Sequence, residues 1–135
     1  MSEKSQRLEI VTPQRKVFSE DVKFLVAPGT DGELGILPEH APLITSLNIG
    51  VLRIQQDRDF IKVVVSGGFM EVRNSRVTVL ATSAERADEI DVARAERAKK
   101  RAEDRLAAKA ADLDVLRAEL ALKRAIMRLR AANDK

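Results

Sequence analysis

Cysteine is absent from the 135-residue chain, and so are tryptophan and tyrosine. The first absence excludes disulfides, thiolate metal sites and thiol nucleophiles. The second, with only four Phe, argues against a platform that stacks nucleic-acid bases on aromatic faces. The one histidine, His40, is too little imidazole for a histidine-rich metal centre. The longest apolar run is residues 24–27, far below the roughly 20 residues that a membrane-spanning helix needs. The opening MSEKSQRLEI has no apolar signal core, so a cytoplasmic protein is expected. At 44% hydrophobic and 33% charged, the chain has the composition of a folded, water-facing protein.

Glycine and proline are missing from one part only. Residues 1–83 hold all six Gly, all four Pro and all four Phe, whereas residues 84–135 hold none and carry 15 Ala and 25 charged residues. The first part is neutral, with 10 Lys/Arg against 10 Asp/Glu; the second has 14 against 11, the whole of the +3 excess. Two architectures therefore join near residues 82–88, with domains expected at 1–84 and 85–135.

In the first part, short β-branched runs alternate with turn signals, the pattern of an antiparallel sandwich or barrel. The candidate strands are 8–12, 22–28, 34–37, 43–47, 51–55, 60–66, 69–73 and 76–81. Turns are expected at Pro28-Gly29-Thr30-Asp31-Gly32, Pro38-Glu39-His40-Ala41-Pro42, Asn48-Ile49-Gly50, Ser66-Gly67-Gly68 and Asn74-Ser75. Two small sheets packed face to face would close the core. Catalytic chemistry is not evident. No Walker loop is present, no Ser–His–acid order marks a nucleophile, and Asp31, Glu33 and Glu39 are not spaced as a calcium loop. His40, between two prolines, reads as a loop or interface residue.

The second part is strong helix former over a long window. Asp88 or Asp91 is expected to cap a first helix, residues 107–112 to break it, and Asp112 to cap a second helix to about Ala131. The apolar spacing predicts a seam of Ala95, Ala98, Ala102 and Leu106 against Leu113, Leu116, Leu120 and Met127. So thin a seam implies a marginal hairpin, able to open. At about 100° per residue, Arg94, Arg101 and Arg105 share one stripe of the first helix, and Arg117, Arg124 and Arg128 share one stripe of the second. Two arginine stripes beside a seam repel one another. A polyanion between them reverses that sign, because guanidinium forks bind phosphate oxygens bidentately. The same arginines also read as a solvated face, with pairs such as Glu96–Lys100 and Glu119–Lys123. A basic helical module that binds nucleic acid is a second functional reading; it would weaken steeply with salt.

Three segments carry a resemblance: Gly32-Glu33-Leu34-Gly35-Ile36-Leu37-Pro38-Glu39-His40-Ala41-Pro42, Ser66-Gly67-Gly68-Phe69-Met70-Glu71-Val72 and Thr78-Val79-Leu80-Ala81. In these motifs and in its strands-then-hairpin layout the chain resembles the epsilon subunits of bacterial F-type ATP synthases over essentially its whole length. The resemblance implies a β-sandwich at the foot of the central stalk, touching the gamma subunit and the c-ring; the loops around residues 32–42, with Glu33 and His40 in the partner interface, and the strands near residues 67–72 are expected to carry those contacts. It implies no catalysis by this chain, no required cofactor, no nucleic-acid partner, and a peripheral place on the cytoplasmic face of the membrane, reached through the complex.

A subset of that family binds ATP on the folded hairpin and carries an Ile/Leu-Asp-x-x-Arg-Ala motif, which Ile90-Asp91-Val92-Ala93-Arg94-Ala95 matches in full. The resemblance places a base-side carboxylate at Glu85 and phosphate-side arginines at Arg94, Arg101, Arg117, Arg124 and Arg128, and Ile90 and Ala95 are expected to shape an apolar slot for adenine. Arg105 shares the periodic stripe but not the resemblance. ATP is thus expected as a regulatory ligand held without magnesium. In its absence the helices are expected to extend toward the alpha and beta subunits and to oppose ATP hydrolysis.

Overall fold

The computed structural model describes residues 4–133. The chain divides into two compact units, Met1–Arg86 and Ala87–Lys135.

The first unit contains β1 (Gln6–Val11), β2 (Lys16–Val22), β3 (Phe24–Gly29), β4 (Gly32–Ile36), β5 (Leu43–Gln56), β6 (Asp59–Arg73), β7 (Arg76–Ala81) and β8 (Ala84–Arg86). Their order is β2-β1-β7-β6-β5-β3-β4, with β8 added beside β6. The β1–β7 pair is parallel and the other pairs are antiparallel.

Two expected turns lie inside strands. β5 and β6 pair in a single register from Leu43↔Val72 to Gln56↔Asp59, so Asn48-Ile49-Gly50 and Ser66-Gly67-Gly68 are bends in one long hairpin. Gly67 and Gly68 have φ of 80° and 130°, which side chains disfavour. A Cβ on Gly68 would also overlap the Leu80 carbonyl oxygen. On its other side β6 also keeps one register across the bend, residues 68–73 with β7 and Val63–Val65 with β8, bridged by Ser66 N–H to the Ser83 carbonyl at 3.0 Å. The sandwich is therefore one continuous sheet folded on itself, where two separate sheets were expected. Leu8, Ile10, Leu25, Ile36, Leu52, Ile54, Val63 and Met70 fill its interior with no measurable exposure.

β2 and β8 are absent from the strands expected from sequence. β2 pairs along β1 only and carries Ser19, Glu20 and Asp21 on an outer edge, which blunts both its apolar pattern and its capacity to recruit another strand. Its pairing shifts from Ile10↔Phe18 to Val11↔Lys16, which leaves Val17 as a bulge and turns Val17 and Phe18 both inward. β8 has helix-forming composition, yet it extends the β6 ladder, so the first unit runs past the boundary expected at residue 84.

The second unit opens with a 3-10 turn (Ala87–Glu89), followed by α1 (Val92–Ala108) and α2 (Val115–Asn133), which pack together. Asp91 caps α1, accepting from the Arg94 N–H at 3.1 Å, while Asp88 lies in the 3-10 turn. Lys109, at φ 48°, ends α1. Asp114, and not Asp112, caps α2, its Oδ1 accepting from the Arg117 N–H at 3.0 Å. The short connection makes the helices antiparallel.

The seam also differs from expectation. Ala95 and Ala102 line it on α1 as predicted, but on α2 Ala118 and Ala125 are buried, whereas Leu116 is 65% and Leu120 38% exposed. Alanines at seven-residue spacing on both helices let the backbones approach closely. Leu116 lies roughly 160° around α2 from Ala118, so the two apolar stripes cannot face α1 together.

Candidate functional site

The Ile90–Ala95 motif first has a local structural meaning. Asp91 is the helix cap, with φ −80° and ψ 100°, so Ile90 precedes the cap and Ala95 is the fourth helical residue. These are the positions of a hydrophobic staple, which fixes the angle at which the chain enters a helix. Ala95, expected to line an adenine slot with Ile90, is 3% exposed because it is taken up in the helix seam, and Ile90 is half-buried. The motif thus aims Arg94, at the third helical position, outward from a well-defined α1 start.

On α1, Arg94, Arg101 and Arg105 lie roughly 90° around the helix from the Ala95–Ala102 ridge. On α2, Arg117, Arg124 and Arg128 lie roughly 90° from the Ala118–Ala125 ridge, in the same rotational sense. Because the helices are antiparallel, equal offsets of the same sense put both stripes on one face of the hairpin. Among the described residues, the guanidinium groups of Arg94, Arg101, Arg105, Arg117 and Arg124 make no ion pair or hydrogen bond. Lys100 pairs with Asp104 at 3.7 Å, where a solvated face was expected to pair it with Glu96. A cleft of about 430 Å³ at the turn end of the hairpin brings together Arg105 and Arg117, beside Asp112 and Asp114. Arg94, Arg101, Arg124 and Arg128 do not line it.

Glu85 is half-buried on β8, in the first unit, whereas Ile90, Asp91, Ala95 and the arginines belong to the second. The residues expected to act together are therefore shared between the units. Among the described residues, no group of three or more His, Asp or Glu could hold a metal ion.

The expected partner residues lie on the β unit. Glu33 on β4 is exposed and accepts from Arg53 Nη2 at 3.0 Å. His40 is half-buried; its N–H donates to the Leu37 carbonyl at 3.2 Å and its Nδ1 lies 2.7 Å from the Ala41 carbonyl. The preceding Glu39, at φ 67°, donates its N–H to Ser75 Oγ at 2.9 Å and pairs with Lys4 at 2.8 Å. The loop is thereby tied to the β6–β7 turn. Sequence reasoning pointed to the strands near residues 67–72 as a partner surface but missed the apolar patch on their outer face. Phe69 and Leu80 are directly paired across β6 and β7 and are 60% and 55% exposed, and Ile44 on β5 is 72% exposed. The signal was present: both Phe69 and Leu80 occupy wet positions of alternating strands, where large apolar residues are out of place.

Comparison with known proteins agrees with this layout. Residues 5–87 match the family model of the β-sandwich domain of the ATP synthase delta/epsilon chain, and residues 88–133 match that of its long α-helix domain. The ATP synthase epsilon chain of Pelotomaculum thermopropionicum is 78% identical over 132 residues, covering 98% of each chain. That of Desulforamulus reducens is 68% identical over 106 residues, covering 78% of this chain and 80% of the relative. In fold, a chain of the Euglena gracilis mitochondrial ATP synthase superposes with a TM-score of 0.80 at 24% identity, covering 95% of this chain and 81% of that one. A chain of the Tetrahymena thermophila mitochondrial ATP synthase central stalk and c-ring gives 0.63 at 18% identity, covering 98% and 96%. With both domains matched in order and a near-complete alignment at high identity, the chain belongs to the bacterial ATP synthase epsilon-chain family, non-catalytic subunits of the central stalk of the F-type complex.

Proposed function

We propose that the β unit joins the rotor and that the helical unit is a nucleotide-controlled brake on ATP hydrolysis. On the β unit, the loop region containing Glu33 and His40 and the apolar patch of Ile44, Phe69 and Leu80 form the surface toward the gamma subunit and the c-ring. The membrane is reached only through that assembly, from its cytoplasmic face. Among the described residues no helix is long and apolar enough to cross a bilayer.

The observation that carries the regulatory part is the single basic face of the hairpin, with unpaired guanidinium groups from both helices. Charges of one sign on paired helices favour separation, and a triphosphate laid along the face converts that repulsion into attraction. Arg94, Arg101, Arg117, Arg124 and Arg128 hold the phosphates, in place of magnesium. Glu85 accepts hydrogen bonds from the base amino group, Ile90 offers it an apolar surface, and Asp91 holds the start of α1. Ala95 contributes by permitting close approach at the seam. With ATP bound the helices stay paired; without it they separate and their basic surface reaches the alpha and beta subunits.

Calorimetry on the full chain with ATP and a chelator tests this. Arg94→Ala and Arg124→Ala are each expected to weaken binding at least tenfold, since one charge-assisted contact is worth roughly 1.5–3 kcal/mol. Lys4→Ala should leave it unchanged. Equal affinity in wild type and both arginine variants would refute the site.

A further inference from the structure

Strand β8 is short. Its pairs Ala84↔Val65, Glu85↔Val64 and Arg86↔Val63 end the ladder along β6, in the register of the β6–β7 pair and joined to it by Ser66 N–H to the Ser83 carbonyl at 3.0 Å and Thr82 N–H to the Gly67 carbonyl at 3.4 Å. The last residues of a ladder paired on one side are the ones that open most readily. The next residue, Ala87, starts the helical unit.

A side chain fastens that end of the ladder. The Arg86 guanidinium donates to the Val17 carbonyl from Nε at 3.3 Å and from Nη2 at 3.1 Å, and it lies 5.1 Å from the centroid of the Phe18 ring. Val17 is the bulge residue of β2, the extra residue that strand pairing leaves over. Phe18 beneath it is 1% exposed, part of the packed interior, so the anchor is rigid. The contact also links two elements that share no ladder, since β2 ends the strand order and β8 hangs beside β6.

We propose that Arg86 is a positioning residue whose clip onto Val17 and Phe18 fixes β8, and with it both Glu85 and the point from which the helical unit starts. Its consequence for ligand binding rests on the nucleotide reading above. Without the clip, residues 84–86 leave β6 and the tether to the helices lengthens by about 10 Å at roughly 3.3 Å per residue. Glu85 then has no fixed place from which to meet a base, and nucleotide affinity falls although no phosphate contact has been touched.

The test compares full-length wild type, Arg86→Ala and Arg86→Lys by residue-resolved amide exchange without nucleotide and by calorimetry with ATP. Arg86→Ala is expected to speed exchange at residues 84–86 about tenfold while the central β5–β6 amides keep their protection, and to weaken ATP binding about tenfold. Arg86→Lys, which keeps the charge over the ring and one donor, recovers part of both. Unchanged exchange at residues 84–86 overturns the clip. Exchange that rises equally across the β unit also overturns it, making Arg86 a general stability residue. Local release with unchanged affinity overturns the positioning role. Failure of wild type to bind ATP would refute the nucleotide reading, and the exchange data would then decide the clip alone. If Arg86→Ala does not fold, the graded change in Arg86→Lys carries the same comparison.

Discussion

The alanine seam makes a prediction that a leucine seam reverses. Full burial of a leucine side chain contributes about 1.5–3 kcal/mol, and Leu116 hides only about a third of its surface. Leu116→Ala should therefore cost the hairpin less than about 1 kcal/mol, whereas a leucine at the centre of a seam would cost 2–5 kcal/mol on the same change. Ala125 has no exposed surface, and three added heavy atoms there must push the helices apart. Ala125→Leu should cost about 1–3 kcal/mol by overpacking, enough to melt a marginal helix pair. The assay is helical circular dichroism against temperature in the full chain, with melting of the β unit followed separately through its exchange-protected core amides. Hairpin melting by Leu116→Ala, or an undisturbed hairpin in Ala125→Leu, would refute the seam as described. If the nucleotide reading holds, ATP should also restore part of the lost helicity in Ala125→Leu, because a ligand bound to the paired state stabilises it by about 2.7 kcal/mol at a hundredfold excess over Kd.

Other consequences are narrower. Asp91→Ala should remove the α1 cap at a cost of about 1 kcal/mol and fray residues 92–95 in amide exchange, while Asp91→Asn should retain most of the helix. Gly68→Ala should unfold or strongly destabilise the β unit in urea, since its Cβ meets the Leu80 carbonyl oxygen and stands 2.8 Å from the Ala81 Cα; Gly32→Ala, at φ 128° with open space around it, should cost only the backbone strain, about 1–3 kcal/mol. Removing residues 87–135 should leave a folded β unit that still joins the complex and should raise ATP hydrolysis by the assembled enzyme. Equal hydrolysis with and without these residues, at low and high ATP, would exclude the brake.

Both units were legible in the chain because each has a local cause. Gly and Pro confined to residues 1–83, where β-branched residues are also concentrated, and alanine with alternating charge beyond them, bias the backbone over short ranges. The two arginine stripes followed from helical period alone. Which acid caps each helix was only partly legible: Asp91 was among two candidates, but Asp114 was passed over for Asp112, since both can accept from a first-turn amide and the path of the turn selects one. Strand β2 was hidden by its edge polarity and bulge, and β8 by residues that prefer helix. Gly67-Gly68 has the composition of a turn, and only the unbroken register of β5 with β6 makes it a bend.

The remaining features depend on partners distant in sequence. Period determines that α2 has an alanine stripe and a leucine stripe on nearly opposite sides, but not which of them meets α1. That choice follows from the small residues of α1, whose close approach favours equally small residues opposite. The exposed Phe69–Leu80 pair and the Arg86–Val17 clip arise in the same way, from strands brought side by side by a sheet that folds over its own core. Local propensity sets the conformation of a segment; what each face touches is set by shape and by which backbone groups the neighbouring strands leave unpaired.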